Sequence, residues 1–221
     1  MYAQEISANA LESRMHIQYP EIAVDGPVGA PSQEYHNYRV AVLIGAGIGV
    51  TPFASILKSM IHLWEEHRCP KCGVVKIPKS ILLTKIYFYW VTKEQEQLGW
   101  FSTTMNHLAE MDTDNRLEIH NYLTPLNRDS VVAPLQFVQS FMHENVGRDV
   151  ISGLHTKNLT HFGRPDWKEE LHQIAKKHPS EQIGVFLCGP PQLGNDVHSQ
   201  CAQFNFNSKY GVKYSYHSER F

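Results

Sequence analysis

The segment of this chain best suited to chemistry is Gly45-Ala-Gly-Ile-Gly-Val-Thr-Pro-Phe53. Glycines let backbone approach a ligand closely, and a helix start presents N–H groups to an anion, so the pattern describes a cradle for a pyrophosphate. Val50 stands where the dinucleotide fingerprint has its last glycine, so the motif by itself leaves a tight structural connection open as the other reading. Cys188-Gly189-Pro190 places a thiol at the mouth of a second apolar run, where a lone cysteine serves equally well as core filler. Cys69-Pro-Lys-Cys72 has the spacing of half a zinc ribbon or of a redox pair, and no second cysteine pair follows it. His62 and His67 would complete a Cys2His2 set, but both fall on a helical stretch; the preferred reading is a surface loop with no metal. Glu65-Glu66, Glu169-Glu170 and the scattered histidines show no spacing that acid–base catalysis requires.

The elements that must position these residues follow from hydrophobic periodicity. Val40–Ile44 is apolar throughout, as a strand covered on both faces should be. Phe53, Ile56, Leu57, Met60, Ile61 and Trp64 then recur at helical steps, with Thr51 as expected N-cap and Pro52 in the first turn. The uncharged run Val40–Leu57 therefore reads as strand, turn and helix rather than as a membrane span. Strands are predicted at Lys85–Val91, Leu117–Leu123, Gln182–Cys188 and Val212–His217. Helices are predicted around 100–111, near 130–143, after Pro165-Asp166 and after Pro191. The expected fold is α/β: a doubly wound, mostly parallel five-stranded sheet flanked by helices, with ligands bound beyond the strand C-termini. Residues 1–38 have weak periodicity and a turn-dense run, Asp25–Ser32. They read as the end of something larger plus a linker, with the nucleotide-binding domain at 39–221.

Composition narrows the function. The 221 residues are 42% hydrophobic and 19% charged, which is globular rather than disordered. A formal net charge of -2 offers no broad positive field, so nucleic acid is not an expected partner. Four cysteines in a chain of this size are no disulfide framework, which points to a reducing, cytosol-facing environment.

Taken together, the motifs Asp25–Gln33, Gly45–Leu57, Tyr87–Gln95, Glu118–Thr124, Gly163–Trp167, Gly184–Pro190 and Ser218–Phe221 occur in an order that resembles the NADP-binding lobe of the ferredoxin reductase superfamily. The likeness is greater still to the C-terminal dehydrogenase region of the NADPH oxidases. Trp90-Val-Thr and His120-Asn-Tyr-Leu-Thr are most similar to the calcium-regulated branches: plant respiratory burst oxidases, dual oxidases and relatives with EF-hands. A ferric reductase-like flavoprotein is the enzymatic alternative, and a non-catalytic interaction module is the alternative from another class.

The resemblance implies that NADPH passes hydride to FAD, which sends electrons through membrane haems to oxygen, giving superoxide or peroxide. It assigns the pyrophosphate to Gly45, Ala46, Gly47, Ile48, Gly49, Val50, Thr51, Pro52 and Phe53. The adenosine end would fall to Trp90, Lys93, Arg164 and Pro165. Lys93 stands where the family usually has arginine, which weakens the expected preference for NADPH because lysine lacks a bidentate fork. Cys188, with Gly189 and Pro190, would border the nicotinamide; Glu219 and Phe221 would complete the catalytic end, Phe221 by stacking on the flavin. Arg220 replaces a neutral or histidine residue, and Val28 an aromatic one in the flavin-domain remnant. FAD is expected mainly on a domain upstream of Met1 and haem on membrane helices of the parent chain, which would place this soluble lobe on the cytosolic face of a membrane. A calcium sensor or calmodulin is the further expected partner; Lys76, Lys79 and Lys85 suit an acidic partner, or else form a solvated basic loop.

Overall fold

A computed structural model describes residues 30–112, 114–124, 139, 149, 151–152, 160–207 and 209–219. The helix expected near 130–143, apart from Gln139, and Asp25–Gly29, Arg220 and Phe221 lie outside the described residues.

Six strands form one sheet: β1 Val40–Ala46, β2 Lys85–Thr92, β3 Leu117–Leu123, β4 His161–Phe162, β5 Gln182–Cys188 and β6 Lys213–Glu219, in the order β4-β3-β2-β1-β5-β6. Every neighbouring pair is parallel. The sequence reading of five strands is corrected to six. The additional strand, β4, is two residues long and too short to show a period, and its pairing with Tyr122 and Leu123 alone defines it.

The helices are α1 Thr51–Glu66, the single turn α2 Gln95–Leu98, α3 Ser102–Met111, α4 Trp167–Lys177 and α5 Pro191–Phe206. They divide between the two faces because β1 alternates. Ala41 and Leu43 meet Phe53, Leu57 and Trp64 of α1 and Met105 and Leu108 of α3. Val40, Val42 and Ile44 meet Leu171 and Ile174 of α4 and Val197 and Cys201 of α5. A strand buried on both sides is apolar at every position, as Val40–Ile44 is.

Helix starts follow local chemistry. Asp166 caps α4 by accepting from the backbone N–H of Lys168 and Glu169. Thr51 does not cap α1: it is already helical, and its hydroxyl donates back to the Ile48 carbonyl at 2.8 Å. A short 3-10 turn over Gly47–Val50 takes the place of a side-chain cap, so the expected N-cap at Thr51 is replaced by a backbone device.

The 3-10 segment Pro31–Asn37 runs along β6 toward the start of β1. Ser32 N–H donates to the Glu219 carboxylate at one end, and the Tyr38 hydroxyl meets His217 Nε2 at 2.8 Å at the other. No helix among the described residues is long and apolar enough to cross a membrane.

Candidate functional site

In an all-parallel sheet the strand C-termini share one edge, and the register here aligns them tightly. Asn121 of β3 pairs with Trp90 of β2, Trp90 with Gly45 of β1, Gly45 with Cys188 of β5, and Cys188 with Glu219 of β6. One row across five strands thus contains four of the residues singled out from the sequence, together with Asn121.

The glycine turn closes over the centre of this row. Gly47 adopts φ +55°, the left-handed conformation that favours glycine. A Cβ on Gly49 would lie 2.2 Å from the Cys188 carbonyl oxygen and 2.8 Å from its carbonyl carbon, so the turn rests directly on the end of β5. Beyond it α1 begins, continuous with the 3-10 turn whose Ile48 carbonyl accepts from the Thr51 N–H, so the positive end of the helix dipole lies at the glycine turn. Ile48 at the crest is 71% exposed, an apolar side chain on the rim of the site.

Trp90 is fully buried rather than open to a ligand. Its indole Nε1 donates to the Gly47 carbonyl at 3.3 Å and its ring packs on Phe101, so it supports the turn from beneath.

Lys93 follows β2 and Arg164 follows β4, with β3 between them. Both side chains are exposed, and among the described residues neither has an ion-pair or hydrogen-bond partner. Their backbones are fixed to the end of β3. Thr124 N–H donates to Thr92 O, and Gly163 N–H to Leu123 O, each at 2.9 Å. Thr92 is locked further by its hydroxyl, which donates to Gln97 Oε1 and accepts from Glu94 N–H. Two intervening strand spacings put the two cations roughly 10 Å apart at the backbone. Pro165 then leads into the Asp166 cap of α4.

At the other end, Cys188 is buried, and burial first and the Glu219 carboxylate second raise its thiol to about 11. It is a neutral thiol near pH 7, suited to packing rather than to nucleophilic attack. Glu219 borders a cleft of about 220 Å³ that Gly189, Pro190, His198 and Tyr216 also line.

Two features were not assigned from the sequence. The side-chain oxygen Oδ1 of Asn121, a residue 2% exposed, has no hydrogen-bond partner among the described residues. Its place in the motif Glu118–Thr124 was the one available signal. Asp149 is fully buried and accepts from Gln139 Nε2 at 2.6 Å, from the N–H groups of Ile151, Ser152 and Thr160, and from the hydroxyls of Ser152 and Thr160. These donors hold its carboxyl below the usual range against the opposing effect of burial. The cluster fixes Thr160 immediately before β4 and hence the approach to Arg164.

The residues that build this arrangement lie almost wholly within 38–202, which a family model described as the ferric reductase NAD binding domain matches. The chain belongs to that family. Among its curated relatives, respiratory burst oxidase homolog protein F of Arabidopsis thaliana is 40% identical over 91% of this chain and 23% of its own length. Respiratory burst oxidase homolog protein D of Solanum tuberosum is 40% identical over 93% of this chain and 24% of its own. The NAD-binding domain thus spans about a quarter of the curated relatives it matches. Among solved structures, ferredoxin-NADP+ reductase from Plasmodium falciparum with 2'P-AMP covers 89% of this chain and 58% of its own at 14% identity, with a TM-score of 0.47. The resemblance read from the ordered motifs holds at the level of the family and of its respiratory burst oxidase relatives.

Proposed function

We propose that this chain is the NADPH-binding lobe of a superoxide-generating NADPH oxidase, holding the nicotinamide at Cys188 for hydride transfer to FAD. The observation that carries this reading is the pair of exposed cations, Lys93 and Arg164, anchored to one strand end without counter-charges among the described residues. A 2′-phosphate supplies the missing charge, and NADH lacks it. The residues fit such a ligand: Gly45–Phe53 would hold the pyrophosphate, where Gly49 has no side chain to intrude, and Lys93 and Arg164, beside Pro165, would hold the ribose phosphate. The orphaned Asn121 oxygen is a further acceptor in the same row.

Bound in this way, the cofactor supplies the hydride, and its acceptor FAD and the haems beyond lie mainly on other parts of the parent chain. The protein's part is placement. Cys188 packs against the nicotinamide as a neutral thiol, Glu219 is steadied by Ser32 N–H, and Gly189-Pro190 start the helix beside them. Phe221 would take the flavin-stacking role that the family resemblance implies for it. Because Ser32 lies at Glu219, the chain enters the sheet domain at the nicotinamide edge. That entry point suits residues 1–38 as the close of the flavin domain, with 39–221 as the NADPH domain and exposed Ile48 packing against the flavin domain. In the parent protein the lobe lies on the cytosolic face of the membrane under control of a calcium sensor. A second reading, in which the electrons go to ferric iron, is favoured by the description of the matched family. Oxygen against chelated ferric iron as acceptor in the parent protein separates the two.

Calorimetric titration of the chain with NADPH, NADP+ and NADH tests the binding reading. NADPH and NADP+ bind more tightly than NADH, and Lys93→Ala and Arg164→Ala each shrink that difference, by about tenfold if one charge-assisted contact of ~1.5 kcal/mol is lost. Failure of NADPH and NADP+ to bind at millimolar concentration, or equal affinity for NADH, overturns the proposal.

A further inference from the structure

The hairpin after α1 carries Cys69 and Cys72, which lie outside the core, whereas Cys188 and Cys201 are buried within it. Its backbone is a tight knuckle. Cys69 N–H donates to Val74 O at 2.9 Å, Gly73 N–H returns to Cys69 O at 2.8 Å, and Lys76 N–H donates to His67 O at 3.0 Å. Arg68 pairs antiparallel with Val75, and Gly73 takes φ +71° to close the turn. The closure holds Cys69 and Cys72 together at the tip of one turn, with Lys71 between them. Two sulfurs converging from a rigid turn supply half of a tetrahedral thiolate set. Among the described residues no group of three or more His, Cys, Asp or Glu is placed to hold a metal ion, so these residues alone do not complete it.

We propose that Cys69 and Cys72 bind one Zn2+ jointly with Cys69 and Cys72 of a second copy of this chain, closing a four-thiolate site between two hairpins. Charge selects this completion. A four-thiolate zinc centre carries a net charge of about −2, whereas one with two thiolates and two waters is neutral. Each hairpin surrounds its sulfurs with the exposed cations Arg68, Lys71 and Lys76. Two such hairpins repel one another when empty, and the anionic centre between them offsets that repulsion. Pro70, Lys71 and Cys72 are all exposed, so the tip is open to a partner tip. The nearest acids, Glu65 and Glu66, lie on α1, and Glu65 is engaged by His62 and His107. Each thiol gives up its proton as the metal binds, with no change of oxidation state.

The test is a Zn2+ titration of the reduced, metal-free 221-residue chain against a chromophoric chelator, with molar mass followed by light scattering. About one Zn2+ is taken up per two chains as the mass doubles, and Co2+ gives tetrahedral thiolate absorption at the same ratio. Cys69→Ser and Cys72→Ser each abolish uptake and dimer while leaving the melting temperature of the metal-free chain unchanged. Lys71→Glu combined with Lys76→Glu weakens uptake without removing a ligand. One Zn2+ per chain at unchanged mass, uptake no greater than that of the Cys69→Ser/Cys72→Ser double variant, or a zinc-dependent dimer that survives Cys72→Ser each overturns the proposal.

Discussion

Gly49→Ala adds one methyl group at the most crowded point of the site. Its Cβ would fall 2.2 Å from the Cys188 carbonyl oxygen, 2.8 Å from the carbonyl carbon and 3.4 Å from Sγ. The first two contacts are backbone in a buried strand, so no rotamer change relieves them. Ordinary carbon–oxygen contact requires the turn and the end of β5 to separate by roughly 1 Å. Forcing that separation in a packed core costs about 1–3 kcal/mol, and each kcal/mol lowers Tm by roughly 2–4 °C in a chain of this size. On the proposed function, the same displacement would part the phosphate cradle from the nicotinamide end, and a misplacement of about 1 Å would cost on the order of 100-fold in the proposed hydride-transfer step. Gly47→Ala is the contrast. It meets only Gln97 Oε1, at 3.9 Å, but sits at φ +55°, so its cost is backbone strain of roughly 1–2 kcal/mol with no intrusion on Cys188. Differential scanning fluorimetry together with NADPH calorimetry separates the two: both variants melt earlier, and Gly49→Ala loses the greater part of its NADPH affinity. Wild-type affinity in Gly49→Ala would refute the idea that contact between the turn and Cys188 builds the site.

Two further predictions concern groups that hold the site's surroundings. The Glu118 carboxyl is lowered to about 2, chiefly by its hydrogen bond with His120 and further by Lys177 and Lys85. A lowered carboxyl stabilises the fold above its unfolded value near 4.5 and loses that contribution as pH falls toward 2, so Glu118→Gln should flatten urea-measured stability between these limits, by at most ~3 kcal/mol before solvent screening. Asp149→Ala strands the buried donors of Gln139, Ser152 and Thr160 and should cost about 3 kcal/mol or more in urea unfolding. It should also weaken NADPH binding more than NADH binding, because it loosens the approach to Arg164.

The alternation of apolar runs was sufficient to read the doubly wound sheet, because β1, β2 and β5 are covered on both faces and admit few polar residues. The glycine turn and Cys188 were legible for a related reason: a strand end followed by glycine and a helix start is a local pattern. What escaped the sequence was set by contacts distant along the chain. β4 exists only through its pairing with β3, and Asp149 gains its importance from donors brought together by folding. Trp90 lies in an apolar run, where nothing local distinguishes a ligand-facing ring from one buried under a turn. Its bond to Gly47 O, 43 residues away in sequence, decides the matter. Thr51 and Pro52 correctly marked the start of α1, but a preceding 3-10 turn reversed the expected direction of the threonine hydrogen bond.

The two ends of the row break the ordinary rules of a folded surface in opposite ways. At one end the fold keeps Lys93 and Arg164 without partners among the described residues and anchors their backbones firmly, although surface lysine and arginine gain little from being held still. It also buries the Asn121 side-chain oxygen with nothing to accept from among the described residues, at a cost that most interiors avoid. At the other end the fold hides a thiol and places a carboxylate beside it, which suppresses the reactivity an exposed cysteine would have. Local inconsistencies of this kind persist where a ligand resolves them. A molecule with phosphate at one end and a planar ring at the other, spanning the glycine turn between them, is anionic where the row is cationic and uncharged where the row is closed to ions. On the proposed function, that polarity would orient the cofactor along the row, since a reversed molecule would set its phosphate beside Glu219 and away from Lys93 and Arg164.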